Sequence, residues 1–368
     1  MSKELFDAVQ MLAQEKGIPE DYLYEKISAA IVVAAKHDYN GKDIVHCDID
    51  PEKQRFKVYV TKNVVEEVED PDTDLTLEEA QAIKKSAKVG KTIDIPLKTK
   101  EFGRIIDYQI AHHTDAIIVC GTTGEASALH DKEHREVLSW CCEYVNHRVP
   151  VIAGTGSNDT AYAIELTKFA AECGADAGLS VTPYYNKTTQ RGLIAHYTAI
   201  ADCCDLPIVL YNVPSRTGVS FTADTLYELS KHPNINGLKA ASGNFSLLAE
   251  TMAKCGDNLN VWSGNDDQIV PILAMGGEGC ISVLSNVLPK EAVRLCELFF
   301  SGDVRGAAAL QCRLLPVIDA LFSEVNPIPV KAALAKMGYG TDTLRLPLTP
   351  MEEGRRAVLL NALEAWGV

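Results

Sequence analysis

Residues 207–241 read PIVLYNVPSRTGVSFTADTLYELSKHPNINGLKAA. A near-continuous apolar run, a polar loop, an amphipathic helical stretch and a second apolar run follow one another, which is how strands buried on both faces of a parallel sheet read. The same grammar extends in both directions. DAIIVCG (115–121), PVIAGTG (150–156), DAGLSVTP (176–183), NVWSGND (260–266) and GCISVLSN (279–286) bring the strands to seven, with helical segments between them and more helices toward the C-terminus. The alternation predicts an α/β fold of the TIM (β/α)8 type. A closed barrel of that type needs eight strands, so either the usual first one is missing or a surrogate comes from upstream.

Before residue 103 the pattern changes. Leu5, Val9 and Leu12 are spaced for one helical face, and Leu23, Ile27 and Ile31 for another. IVHCDID, FKVYVTK and TIDIPLKT alternate as strands do. These predict a small α+β domain over 1–103, followed by the barrel and its C-terminal helices over 104–368. TIDIPLKT, just before the first barrel helix, is the candidate surrogate strand. Between the upstream strands, residues 64–80 (VVEEVEDPDTDLTLEEA) hold eight carboxylates and no Lys or Arg. This reads as a solvated acidic connection before a helix capped at Thr76, with a docking surface for a basic partner as the alternative.

Composition narrows the function. The 368 residues are 46% hydrophobic and 23% charged, with a formal net charge of −15, which opposes polyanionic partners and predicts no direct nucleic-acid binding. There is no apolar run of about 18 residues and no signal-peptide pattern. Eleven scattered cysteines include no Cys-x-x-Cys pair and suit a reducing cytoplasm. A cytoplasmic protein without a membrane segment is expected.

Active sites of such barrels are built at the C-terminal ends of the strands. The first run ends in Gly121-Thr122-Thr123-Gly124-Glu125, whose hydroxyls and backbone N–H groups suit a carboxylate or oxyanion. Others end in Tyr184-Tyr185-Asn186 and in Tyr211-Asn212-Val213-Pro214-Ser215-Arg216; each tyrosine taken singly would be a core or rim aromatic. Lys239 stands alone in the run around it. Desolvation favours its neutral amine, the nucleophile that attacks a ketone. Lys239 is therefore the Schiff-base candidate, Tyr211, Thr122 and Tyr185 a candidate proton relay, Thr123 a holder of a keto-acid carboxylate, and Arg216 a bidentate grip for a second carboxylate. No metal and no organic cofactor is expected.

From about Ile105 to Val368 the chain resembles the dihydrodipicolinate synthase (4-hydroxy-tetrahydrodipicolinate synthase) family. GTTGEAS, VIAGTGSNDTA, VTPYYNKTTQ, LYNVPSRTG, GLKAASG, WSGNDDQ, GCISVLSN and EVNPIPVKAAL carry the resemblance. It implies that Lys239 bonds pyruvate, that Thr122, Tyr185 and Tyr211 relay protons, that Arg216 binds aspartate semialdehyde, and that Gly264 and Ile281 contact substrate. It also implies a homotetramer in which Tyr185 reaches into a partner's site. Lyases acting on sialic acid or sugar-derived keto acids share the barrel and the lysine and are the alternative within the superfamily.

Three features depart from the family. Lys239-Ala240-Ala241 stands where Lys-Glu-Ala is usual. The stretch matching a lysine regulatory site keeps Ser127, His134, Asn158 and Tyr184 but has Asp131 and Tyr162 at variable positions. The opening strand is absent. In its place, residues 1 to about 104 resemble the N-terminal domain of transcription termination/antitermination protein NusA, through KELFDAVQMLAQEKGI, VVEEVEDPDTDLTLEEA and VGKTIDIPLKTKEFGRI. That resemblance implies an RNA polymerase contact, and a polymerase-binding fragment fused to an inactive barrel is the competing reading.

Gly154-Thr155-Gly156 and Gly276-Gly277 lack the rest of a phosphate loop and read as tight turns. His112, His113, His130 and His134 lack a third ligand at metal spacing and read as surface or capping residues. Asn326-Pro327-Ile328-Pro329 reads as the start of a C-terminal helix.

Overall fold

The alternating strands before residue 97 bury one face, and the continuous apolar runs after residue 115 bury two, so the chain folds as two separate units. The computed structural model describes residues 2–37, 39, 41–51, 55–96 and 101–368. Its compact units divide between Lys100 and Glu101, three residues upstream of the expected junction.

In the first unit, helices α1 (Ser2–Lys16) and α2 (Glu20–His37) precede strands β1 (Val45–Asp50), β2 (Arg55–Val65) and β3 (Asp74–Thr76), helix α3 (Leu77–Ile83) and strand β4 (Thr92–Pro96). Phe6, Val9 and Tyr24 form one small core, and Val64, Ala80 and Ile93 another. The predicted face of α1 holds at Val9 but not at Leu12, which is exposed; Phe6 supplies the contact instead, its ring 5.6 Å from that of Tyr24. The side chain of Leu5 lies outside the described residues. Thr76 caps α3 in a reciprocal box with Glu79. The acidic connection is solvated as expected at Glu66, Glu67 and Glu69, while Asp70 and Asp72 close on Lys42 at 2.6 and 2.7 Å.

β4 pairs antiparallel with β2, Ile93 opposite Lys62 and Ile95 opposite Val60. This removes TIDIPLKT as a surrogate barrel strand over its described part; residues 97–99 lie outside the described residues.

The second unit opens with α4 (Glu101–Ala111). Seven strands follow: β5 (Ile117–Val119), β6 (Val151–Gly154), β7 (Ala177–Val181), β8 (Ile208–Asn212), β9 (Ile235–Ala240), β10 (Asn260–Ser263) and β11 (Gly279–Cys280). All pair in parallel, in strict sequence order. The helices between them are α5 (Asp131–Val145), α6 (Thr160–Glu172), α7 (Gln190–Ala201), α8 (Pro214–Thr217), α9 (Ala223–Leu229), α10 (Phe245–Cys255) and α11 (Ile269–Ala274). Then come α12 (Pro289–Phe300), α13 (Val304–Leu321), α14 (Ile328–Lys336) and α15 (Glu353–Glu364). This is the TIM-type architecture one strand short. Leu179, Val209, Tyr211, Val213 and Ala241 pack within the curled sheet, and the larger apolar clusters lie among the helices and strands around it. Among the described residues no helix is long and apolar enough to cross a membrane.

Gly154 and Gly156 are required by close approach, and a tight turn is not the reason. A Cβ at Gly154 would stand 1.9 Å from the Cys120 carbonyl oxygen, and one at Gly156 would stand 2.4 Å from the Val181 nitrogen. Both contacts are backbone, so no side chain can swing away. Gly154→Ala should therefore lower the stability of the barrel unit by about 1–3 kcal/mol or more, read as a fall in the urea midpoint; an unchanged midpoint would contradict the packing described.

Candidate active site

β8 and β9 run side by side with Tyr211 directly opposite Lys239, and Trp262 of β10 flanks the lysine on its other side. The ammonium lies 4.4 Å from the centre of the Tyr211 ring. Its stem crosses Gly264, where an added methyl would stand 3.0 Å from Cε and 3.1 Å from Cγ of the lysine. Glycine at 264 thus makes room for Lys239. Ile281, just past β11, donates its N–H to the Ser263 carbonyl at 2.7 Å. Lys239, Thr122, Thr123 and Ile281 all line one cavity of about 1400 Å³, which extends between the edge strands β5 and β11 and under α4 and α12.

Burial lowers the pKa of Lys239 to about 8 from 10.5, opposed first by the Asp266 carboxylate and reinforced by Arg216. At pH 7 about one amine in ten is then neutral, against about one in 3,000 at the ordinary value. The gain in nucleophile is roughly 300-fold. Tyr211 is buried, which raises its pKa, and a hydrogen bond with Thr122 works the other way. A phenol bonded to a hydroxyl beside an amine can pass protons to and from a group bound on that amine.

Thr123 and Arg216 are brought together by a residue read from the sequence only as a helix start. Asn326 donates from Nδ2 to Thr123 Oγ1 at 2.9 Å, and its carbonyl accepts from Arg216 Nη2 at 3.0 Å. Asn326 does precede α14, as expected, and Lys331 of that helix pairs with Glu125 at 2.6 Å. The C-terminal helices thus hold the Gly121–Glu125 turn. Asp266 was also missed. It is buried, and its Oδ2 accepts from the N–H groups of Val283 and Leu284 at 3.0 and 2.8 Å. The signal was present in WSGNDDQ, but nothing local distinguishes a buried aspartate there from a solvated one.

Tyr185 does not join Tyr211 and Thr122. It is 91% exposed, in left-handed backbone at φ 64°. Ser127, His134, Asn158 and Tyr184 do not line this cavity. Ser127 is exposed, Tyr184 is 37% exposed, and the Asn158 carbonyl accepts from Asn186 Nδ2 at 2.9 Å. His134 corrects the surface reading: it is buried, with Nε2 3.0 Å from the Gly154 carbonyl, and burial lowers its pKa. Asp131 and Tyr162 are hydrogen-bonded to each other. Among the described residues no group of three or more His, Cys, Asp or Glu is placed to hold a metal ion.

A parallel sheet of barrel type, with one amine kept partly neutral among phenol and hydroxyl groups at its strand ends, defines a lyase of the class I aldolase type, which works through a lysine imine. The chain belongs to the dihydrodipicolinate synthetase family, whose pattern matches residues 94–366. The NusA N-terminal domain matches residues 4–114. The 4-hydroxy-tetrahydrodipicolinate synthase of Caldicellulosiruptor saccharolyticus is 52% identical over 285 residues, covering 76% of this chain and 96% of that protein. The crystal structure of dihydrodipicolinate synthase from Aquifex aeolicus is similar at a TM-score of 0.72 and 40% identity, over 73% of this chain and 92% of that one. A monomeric dihydrodipicolinate synthase variant is similar at a TM-score of 0.70 and 42% identity, over 73% and 90%.

Burial raises the pKa of Asp266 itself, and its carboxylate, where ionised, is the largest influence that holds the lysine pKa up. Asp266→Asn should shift the Lys239 titration to lower pH, read from the ε-methylene carbon by NMR. A midpoint unmoved from the parent's would show that the carboxylate does not act on the amine.

Proposed function

We propose that residues 101–368 condense pyruvate with L-aspartate 4-semialdehyde to 4-hydroxy-tetrahydrodipicolinate, the diaminopimelate and lysine pathway step that names the relatives. The observation that carries the proposal is Lys239, an amine brought to about 8 by burial beside Tyr211. Its neutral Nζ attacks the keto carbon of pyruvate, and water leaves as the imine forms. Loss of a methyl proton gives the enamine, whose carbon attacks the aldehyde; the substrate's own amine then displaces Lys239 and closes the ring. Tyr211 and Thr122 carry these protons. Thr123, Gly264 and Ile281 hold the pyruvate unit, and Arg216 takes the semialdehyde carboxylate.

The relay needs its third member, Tyr185, from a second copy. Its 91% exposure, which leaves the ring open to another chain, supports that reading. A homotetramer is the assembly the family resemblance implies, and the monomeric relative makes it the point to test. Ser127, His134, Asn158 and Tyr184 form the candidate lysine regulatory site. The eleven cysteines are free thiols, which supports a cytoplasmic enzyme. The NusA-like unit supports a second reading, an RNA polymerase contact through residues 1–103 with no direct nucleic-acid binding.

Tyr211→Phe and Thr122→Val should each lower kcat by about 10²–10⁴-fold while the lysine still forms its imine. Tyr185→Phe and Lys239→Ala, each inactive alone, should regain turnover when dissociated and reassembled together, because a mixed oligomer contains sites with both residues. Failure to regain turnover would remove the shared site.

A further inference from the structure

Two thiols stand on the wall of the same cavity and take no part in the chemistry above. Cys280 ends β11, one residue before Ile281, and Cys296 lies within α12. Both line the cavity, and both pack, half-buried, against the same apolar cluster. Their side chains are hydrogen-bonded to each other. That bond is the largest cause of opposite shifts, Cys280 pushed well up and Cys296 lowered. Asp115 faces both thiols from ahead of β5, Asp266 faces Cys280, and Glu297 faces Cys296. Cys120, a third thiol on this wall, is pushed up to about 12 by burial and is the poorer nucleophile.

We propose that Cys280 and Cys296 form a peroxide-sensitive dithiol whose oxidation to a disulfide ties β11 to α12 and slows turnover at Lys239. The Cys296 thiolate attacks one oxygen of hydrogen peroxide and the O–O bond breaks. Hydroxide leaves and is protonated to water, and Cys296 becomes a sulfenic acid. The Cys280 sulfur then attacks the sulfenic sulfur, the S–O bond breaks, and a second water carries away the Cys280 proton. Two thiols lose two electrons in total, and the peroxide gains them.

The disulfide can reach the active site because β11 is weakly held. It is a two-residue edge strand, paired only with Trp262 and Ser263 among the described residues. A pull on Cys280 moves Ile281, the next residue along the cavity wall. The effect on turnover rests on the proposed function, whereas the formation of the bond does not.

The test treats the full chain with hydrogen peroxide, blocks remaining thiols by alkylation, and maps disulfides in a non-reducing digest by mass spectrometry. Turnover is followed in parallel, before and after dithiothreitol. We expect a Cys280–Cys296 linkage, a severalfold loss of turnover that dithiothreitol reverses, and a Cys296→Ser variant with ordinary basal turnover and no peroxide response. A chain that forms the linkage but never turns over would support the dithiol and remove the enzyme reading. The proposal is overturned if these two cysteines stay free while Cys203 and Cys204, 3.7 Å apart, close instead. It is equally overturned if Cys296→Ser loses turnover to peroxide as the parent does.

Discussion

The chemistry rests on the desolvation of one amine. Lysine is excluded from parallel sheets because an ammonium loses its hydration there, and the same penalty favours the neutral amine of Lys239 that the proposed imine chemistry requires. Its surroundings balance the penalty without cancelling it. Asp266 pulls the pKa back up and Arg216 pushes it down, leaving an amine neutral often enough to react and charged often enough to be protonated again. Packing serves the same end: Gly264 has no side chain where the lysine stem passes. A larger side chain at 264 would displace the nucleophile itself.

The seven-strand sheet is the fold's main liability. Among the described residues β5 and β11 each pair on one side only, and a cavity of about 1400 Å³ opens between them, larger than the roughly 300–1,000 Å³ of ordinary ligand pockets. Unpaired edges invite association with other strands. Other contacts keep this region ordered. Tyr108 of α4 donates to the Val287 carbonyl at 3.1 Å and Gln109 to that of Ser285 at 2.9 Å, so α4 is fastened to the chain beyond β11 across the gap. Asp266 fastens the end of β10 to Val283 and Leu284. The strand-end groups are therefore held from outside the sheet as well as by it.

All seven barrel strands were legible, because burial on both faces writes an apolar run that needs no knowledge of neighbours. TIDIPLKT was legible as a strand but not in its partner. Its alternation held the answer: Ile93 is buried and Asp94 exposed, the signature of one buried face, whereas a barrel strand would have been apolar on both. Lys239, Tyr211 and Thr122 were legible as polar groups at the ends of apolar runs. Asp266 and Asn326 were not, because what sets them apart is a partner far along the chain, Val283 and Leu284 for one, Thr123 for the other. His134 misled for the same reason, since the Gly154 carbonyl that satisfies it belongs to another element. The relay role proposed for Tyr185 would depend on a second copy, which no single chain can display.

The central claim is that a sheet one strand short still organises its lysine as a nucleophile. Intact-protein mass spectrometry after borohydride reduction in the presence of pyruvate tests it directly, with Lys239→Ala as the control, because reduction fixes the imine as a stable adduct. One pyruvate-derived adduct per chain on the parent protein, mapped to Lys239 and missing from the variant, is the predicted result. A folded parent that gains no adduct would contradict the account.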